Sequence, residues 1–342
     1  MVRAAILGAS GYTGAELLRL LAGHPQMDLV VATADSNAGG LASDLYPSLA
    51  GPWPDLVFEA FDAARIGALD IDVAFLGLPH EASMRLVPEL VGSVGCVVDL
   101  SAAFRLRDAS LYPRWYGFEH NHIDLLGHAV YGLPERTRKD LPGATLIATP
   151  GCYVTAATLA LAPLLDAGLI ENTGIIVDAA SGVSGSGRVP TATNTFGTVD
   201  ENFTAYGLLD HRHTPEIEQN LGAQVLFTPH LAPMNRGILA TCYARPTEGQ
   251  NLSTASLLGE FTTAYAGEPF VVVMSGSPST KASLGSNTAY VTARFDERTG
   301  YVIALCAIDN LTKGASGGAL QAANVALGLD ETAGLPMAGL YP

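Results

Sequence analysis

The chain has 342 residues, a formal charge of −15, and 48% hydrophobic against 15% charged residues. A single core stops growing near ~250–300 residues, so this length implies two domains, and the composition leaves no room for extensive disorder. No Lys/Arg run makes a basic face, which argues against a nucleic-acid partner; the acidity serves solubility.

Met1-Val2-Arg3 leads directly into a strand pattern, with no signal-peptide core or cleavage site, and this predicts a cytoplasmic protein. Residues 4–7 read as a first strand and 15–21 as a first helix, with Leu17, Leu18 and Leu21 on one face. Residues 29–34, 73–76 and 97–100 read as further short apolar strands. Alternation of such strands with helices predicts βαβ units and a parallel sheet over residues 1–149. After Pro150 an apolar helical stretch occupies 155–170. It carries Pro163 and Asp166 and falls short of the ~20 apolar residues of a membrane helix. Longer alternating strands follow at 238–244, 289–295 and 301–308, which suit an antiparallel sheet with one wet face. The expected fold is therefore α/β: a Rossmann-like doubly wound sheet over 1–149, then an α+β domain over 150–312. A last helical segment within 313–342, strongest at 317–327, returns to the first domain.

Between the first strand and helix lies Gly8-Ala9-Ser10-Gly11-Tyr12-Thr13-Gly14. Glycines there permit a tight turn and bring backbone N–H groups close to a pyrophosphate. The GxxGxxG spacing is a variant of the usual fingerprint, and a plain glycine-rich turn is its other reading. Asp35 lies where an acid would grip a ribose 2′-OH, ~20 residues past the glycines. No Arg or Lys occurs in 34–41 to hold a 2′-phosphate, although Ser36, Asn37 and backbone amides can. Taken alone, this segment favours NAD.

The four cysteines, Cys96, Cys152, Cys242 and Cys306, are widely spaced and never form CxxC, which argues against disulfides and a zinc site. Cys152 follows the turn Pro150-Gly151 and should begin a helix, where the dipole and unpaired N–H groups favour a thiolate and a developing oxyanion. A buried structural cysteine is the alternative reading. For the other three, inside apolar strand patterns, that reading prevails.

In Asp210-His211-Arg212-His213-Thr214-Pro215-Glu216, Thr214 can cap a helix starting at Pro215, which leaves His213 just outside it as a general acid or base. His120 and His122 read as a surface loop. Among the cations, Arg105, Arg188, Arg212 and Arg236 are candidates to hold an anionic substrate, with Arg236 preferred because it precedes a strong strand.

These segments together resemble the N-acetyl-γ-glutamyl-phosphate reductases, the arginine-biosynthesis branch of the semialdehyde dehydrogenase group. The resemblance runs through Gly8–Gly14, Leu78-Pro79-His80, 131–135, 150–155, 181–188, 211–217, 228–237 and 309–314. It implies a Rossmann domain for NADPH, and a catalytic domain that also carries the contacts of a homo-oligomer, dimer or tetramer. It further implies an acyl-phosphate substrate reduced through a thioester. It assigns the nucleophile to Cys152 and the acid/base to His213. Cofactor contacts fall on Gly8, Ser10, Gly11, Tyr12, Thr13, Gly14, Ser36, Pro79, Ser181, Gly182 and Asn310, the last three around the nicotinamide. Substrate contacts fall on Arg105, His211 and Arg236, and no metal is implied. The chain departs from the family pattern at Val154 (usually Pro), Ala103 (usually Asp) and Asp35 (often Arg). A reductase of aspartyl or aminoadipyl phosphate would use the same machinery, and a non-catalytic NADP(H) sensor would share the glycine loop.

Overall fold

The first compact unit comprises Met1–Pro150 and Ala315–Leu335 of a computed structural model that describes residues 1–342. Its six strands are β1 (Val2–Leu7), β2 (Met27–Thr33), β3 (Val73–Leu76), β4 (Cys96–Asp99), β5 (Val130–Tyr131) and β6 (Leu146–Ala148). All pair in parallel, in the order β2-β1-β3-β4-β6-β5. Every side chain of β3 is fully buried, because both faces of the sheet are covered; this is why the strands read as unbroken apolar runs. The chain runs outward from β1 to β2, then returns to the other side of β1 as β3. That reversal creates a crevice at the carboxyl ends of β1 and β3, the place where doubly wound sheets take their ligands.

Helix Gly317–Ala326 belongs to this unit. Gln321 is fully buried and donates from Nε2 to Glu135 Oε1 (2.9 Å) and to Glu331 Oε1 (2.8 Å). Arg138 pairs with Glu331 at 2.9 Å. The motif of residues 131–135 thus serves to anchor this helix. Asn324 receives the His24 Nε2 proton at 3.1 Å and donates to the Ala333 carbonyl.

The second unit comprises Gly151–Gly314 and Pro336–Pro342. Its strands are β7 (Ile175–Ser181), β8 (Thr204–Ala205), β9 (Val225–Leu231), β10 (Ile238–Ala244), β11 (Val271–Val273), β12 (Ala289–Asp296) and β13 (Tyr301–Ile308), in the order β11-β12-β13-β10-β7-β9-β8. The sheet is mixed: β10 is antiparallel to β7 and β13, whereas β7 runs parallel to β9. Side chains alternate strictly between buried and half-buried along β7 and β10, so one face is packed and the other partly open. Helix Cys152–Asp166 covers the packed face, and every residue from Tyr153 to Leu164 is buried. Pro163 lacks the N–H that would bond the Leu159 carbonyl; the Tyr265 hydroxyl donates to that carbonyl instead, at 2.6 Å, and the helix continues through the proline.

Several elements differ from the sequence reading. The buried helix starts at Cys152, as the Pro150-Gly151 turn predicts, but ends at Asp166 rather than 170, and β7 and β9 were not legible. The last residues pack on the second unit: the Pro336 carbonyl accepts from Asn287 N–H (2.8 Å), and Leu340 N–H donates to Leu284 O (2.8 Å). His120 is buried at 6% exposure and bonds the Ala103 carbonyl through Nε2 at 2.8 Å, so it is no surface-loop residue. Cys96, Cys242 and Cys306 are all buried, and burial pushes the Cys96 thiol up to about 12. No helix is long and apolar enough to cross a membrane.

His24 and His120 each accept a backbone N–H at Nδ1 and use Nε2 toward an oxygen, so both sit as neutral imidazoles. Burial lowers both pKa values below the ordinary 6.5. The folded protein therefore binds fewer protons here than the unfolded chain. The stability they contribute is present above pH ~6.5 and is lost as pH falls below it. Melting temperature should fall steadily from pH 7 to pH 5, and His24→Gln should flatten part of that slope. A melting temperature independent of pH over that range would contradict the assignment.

Candidate active site

The glycine loop occupies the crevice of the first unit. Gly8 has φ +87°, and a Cβ there would stand 2.4 Å from the Gly77 carbonyl oxygen. A Cβ on Gly14 would stand 2.5 Å from Ala9 Cα, so this glycine lets the helix Tyr12–Leu21 rest on the loop. Gly11 is different: its nearest neighbour would be 3.6 Å away, which leaves room on that side for a ligand. The Tyr46 hydroxyl donates to Ser10 O (2.7 Å) and the Ser316 hydroxyl to Thr13 O (2.8 Å). With those carbonyls held inward, the first-turn N–H groups of the helix remain as an anion cradle. Pro79, at the end of the neighbouring β3 segment, caps helix His80–Leu90. Asp35, past the end of β2, is exposed and accepts the Phe61 N–H at Oδ1 (2.9 Å). Beyond β2 a cavity of about 340 Å³ is lined by Asn37, Gly40, Leu41, Asp44, Leu45 and Phe58.

In the second unit Cys152 is the first residue of its helix, behind the N-cap Gly151. The first internal helix bond runs from Thr155 N–H to Gly151 O, so the N–H groups of residues 152–154 have no partner within the helix. Gly151 N–H donates to Oε1 of the fully buried Glu216 at 3.0 Å. A Cβ on Gly151 would lie 2.5 Å from His213 Nε2, closer than to any other ring atom. The imidazole thus packs Nε2-first on the N-cap of the Cys152 helix, and only glycine permits it. On another side, a Cβ on Gly314 would lie 2.9 Å from Cys152 Cβ. His213, not Thr214, is the cap of helix Thr214–Leu221, with no side-chain capping bond.

His211 Nδ1 accepts the His213 N–H at 3.1 Å, which leaves the proton of a neutral ring on Nε2. Burial first, and the nearby Arg212 second, lower its pKa to about 4, so it is neutral at pH 7. Tyr153, one residue after the nucleophile, packs edge-on against both imidazoles.

A third cluster joins the carboxyl end of β7 to the segment after β13. Gly182 lies so close to Asn235 and Arg236 that a Cβ would meet the Asn235 carbonyl oxygen at 2.6 Å. Asn310 accepts the Gly237 N–H at Oδ1 (2.7 Å) and donates from Nδ2 to the Ser184 hydroxyl (3.0 Å). Ser181 is buried beside them. Arg236 pairs with the fully buried Asp309 at 2.9 Å and donates from Nη2 to Thr312 Oγ1 at 3.0 Å. In the first unit Arg105 is largely buried, donates from Nη2 to Leu100 O at 2.8 Å, and faces Asp99. The expected residues thus fall into two sets. Gly8 to Gly14, Ser36, Pro79 and Arg105 lie in the first unit. Cys152, Ser181, Gly182, His211, His213, Arg236 and Asn310 lie in the second.

Residues 3–144 match the semialdehyde dehydrogenase NAD binding domain, and residues 152–310 match the semialdehyde dehydrogenase dimerisation domain. Over its whole length the chain is 47% identical to N-acetyl-gamma-glutamyl-phosphate reductase of Heliobacterium modesticaldum and 48% identical to that of Desulforudis audaxviator, covering all of each. The chain belongs to the N-acetyl-gamma-glutamyl-phosphate reductases of the semialdehyde dehydrogenase family. Its fold is that of aspartate semialdehyde dehydrogenase II from Vibrio cholerae, with a TM-score of 0.70 at 17% identity, over 95% of this chain and 98% of that one.

Glu216, Tyr153, Asp309 and Gly314 take part in the geometry of this reductase site but were not chosen from sequence. Glu216 reads as an ordinary first-turn acid. The only hint was its place between Pro215 and Ile217, which are also buried. Gly151→Ala should displace the imidazole and lower turnover ~100-fold, the scale of an ångström's misplacement, with cofactor affinity unchanged. Steady-state kinetics beside a cofactor titration would show this; normal turnover would mean that His213 need not sit there.

Proposed function

We propose that the protein is a cytoplasmic enzyme of arginine biosynthesis that reduces N-acetyl-L-glutamyl 5-phosphate to N-acetyl-L-glutamate 5-semialdehyde and phosphate, with NADPH as reductant. The observation that carries this reading is Cys152 at the start of a buried helix, with His213 Nε2 packed on its N-cap glycine. The Cys152 thiolate attacks the acyl carbon, the C–O bond to phosphate breaks, and a thioester forms. One difficult displacement is thereby split into two easier steps. The N–H groups at the helix start hold the tetrahedral oxyanion. The glycine loop of the first unit and Ser181, Gly182 and Asn310 of the second are the residues that would hold a nicotinamide cofactor, which would supply the hydride that reduces the thioester. His213 gives a proton from Nε2 to the resulting oxyanion and takes it back as the C–S bond breaks, so the aldehyde leaves and the thiolate is regenerated. The neutral His211 donates from Nε2 to the substrate. Arg236, its Nε–Nη2 edge held by Asp309, and Arg105 orient the anionic ends.

The choice of NADPH rests on Ser36 and Asn37, linked to each other at 2.9 Å, which are polar groups suited to a 2′-phosphate. The cavity beyond β2 suits the adenine. The partly open sheet face carries Ile176, Leu239, Tyr243, Ile303 and Leu305, an apolar surface that a second copy would cover in a homo-oligomer.

In the reverse direction, N-acetylglutamate semialdehyde with phosphate should reduce NADP⁺, read as absorbance of the reduced nicotinamide, and should do nothing without phosphate. Cys152→Ser should abolish this while NADPH still binds; substantial turnover in that variant would rule out the thioester. NADP⁺ should be preferred over NAD⁺ at least ~10-fold in kcat/KM, and Ser36→Ala should narrow that ratio. Equal use of both cofactors would overturn the role given to Ser36 and Asn37.

A further inference from the structure

Tyr153 is spent on no step of this chemistry, yet it meets most of the groups that perform it. It is 3% exposed. Its ring stands 5.7 Å from the His211 ring, 5.9 Å from that of His213 and 5.3 Å from Phe227, all edge-on. Its hydroxyl bonds the His230 carbonyl at 3.1 Å and the Tyr206 hydroxyl at 3.1 Å, and it also interacts with the Ser181 side chain. A phenol has one proton, and a carbonyl only accepts. Tyr153 therefore donates to His230 O, and between the two tyrosines Tyr206 is the donor. Tyr206 extends this arrangement to the histidine segment, with its ring 5.6 Å from His211.

We infer that Tyr153 is a positioning residue: its hydroxyl, locked by His230 and Tyr206, fixes the first turn of the Cys152 helix against the His211–His213 pair and Ser181. The position in sequence makes this effective. Tyr153 shares a helical turn with Cys152, so the hydroxyl that anchors its ring also anchors that turn against the two imidazoles. The two imidazoles are set by contact with the same ring. A direct proton-donating role does not fit, because burial holds the phenol far above its ordinary pKa and keeps it protonated. Tyr206, pushed up to about 12 mainly by burial, is likewise neutral.

The inference rests on the thioester reading, so the test includes Cys152→Ser. Tyr153→Phe, Tyr206→Phe and the double variant would be assayed as the full chain for phosphate-dependent NADP⁺ reduction, for melting temperature, and for the pH profile of Cys152 alkylation by iodoacetamide. Tyr153→Phe should lower kcat ~10-fold, the scale of one lost hydrogen bond, with both KM values nearly unchanged and a displaced alkylation profile. Tyr206→Phe should give a smaller loss of the same kind. The double variant should be no worse than Tyr153→Phe, because both remove one shared lock. Wild-type kcat and alkylation profile in Tyr153→Phe, with or without a lowered melting temperature, would overturn the inference. So would losses that simply multiply in the double variant. If Tyr153→Phe does not fold, Tyr206→Phe decides alone, since its hydroxyl lies on the half-buried side. An active Cys152→Ser would defeat the thioester reading; an inactive one beside a fully active Tyr153→Phe would defeat only the positioning role.

Discussion

Burying a carboxylate without compensation costs several kcal/mol, and Asp309 is buried completely. Its two oxygens accept from the Arg236 guanidinium and from the N–H groups of Gly285, Leu311 and Thr312. These donors fix three stretches of the second unit: the loop before β10, the turn before β12 and the segment entering the π-helical turn at Thr312. Asn310 and Gly314 ride on the segment so held, one bonded to Gly237 and Ser184, the other against Cys152. One buried charge thus couples the proposed nicotinamide contacts to the nucleophile.

Both units achieve close approach through missing side chains, but with different results. In the first, Gly8 and Gly14 let backbone pass backbone, and the space beside Gly11 stays open for a ligand. In the second, Gly151 and Gly314 flank Cys152, and what fills the space is protein: the His213 ring and the segment after Asp309. A dinucleotide cradle needs vacancy, whereas the proposed chemistry at Cys152 needs a proton carrier close by.

The buried helix behind Cys152 shows how the scaffold supports that contact. It is apolar all round because β10, β12 and β13 lie under it and helices cover its flanks. The carbonyl that Pro163 leaves without its helical partner is met by Tyr265. Glu216 ties its N-cap to the helix that His213 caps, so Cys152 and the imidazole are held by one joint.

The sequence by itself determined the repeating local features. Apolar runs between helical patterns specified the parallel sheet; strict alternation specified β10, β12 and β13. A glycine triplet after a strand and Pro-Gly before Cys152 marked two helix starts. These signals are short-range and survive without the fold. Tertiary structure alone decided the rest. That Asp35 would accept the Phe61 N–H depended on where the chain returned, 26 positions later. Arg236 became an ion-pair member because the fold brings Asp309, 73 positions away, to its guanidinium. Glu216 and Tyr153 look ordinary in sequence, because a carboxylate or phenol acquires its role from what burial removes and what it must then bond, and burial is a property of the whole chain.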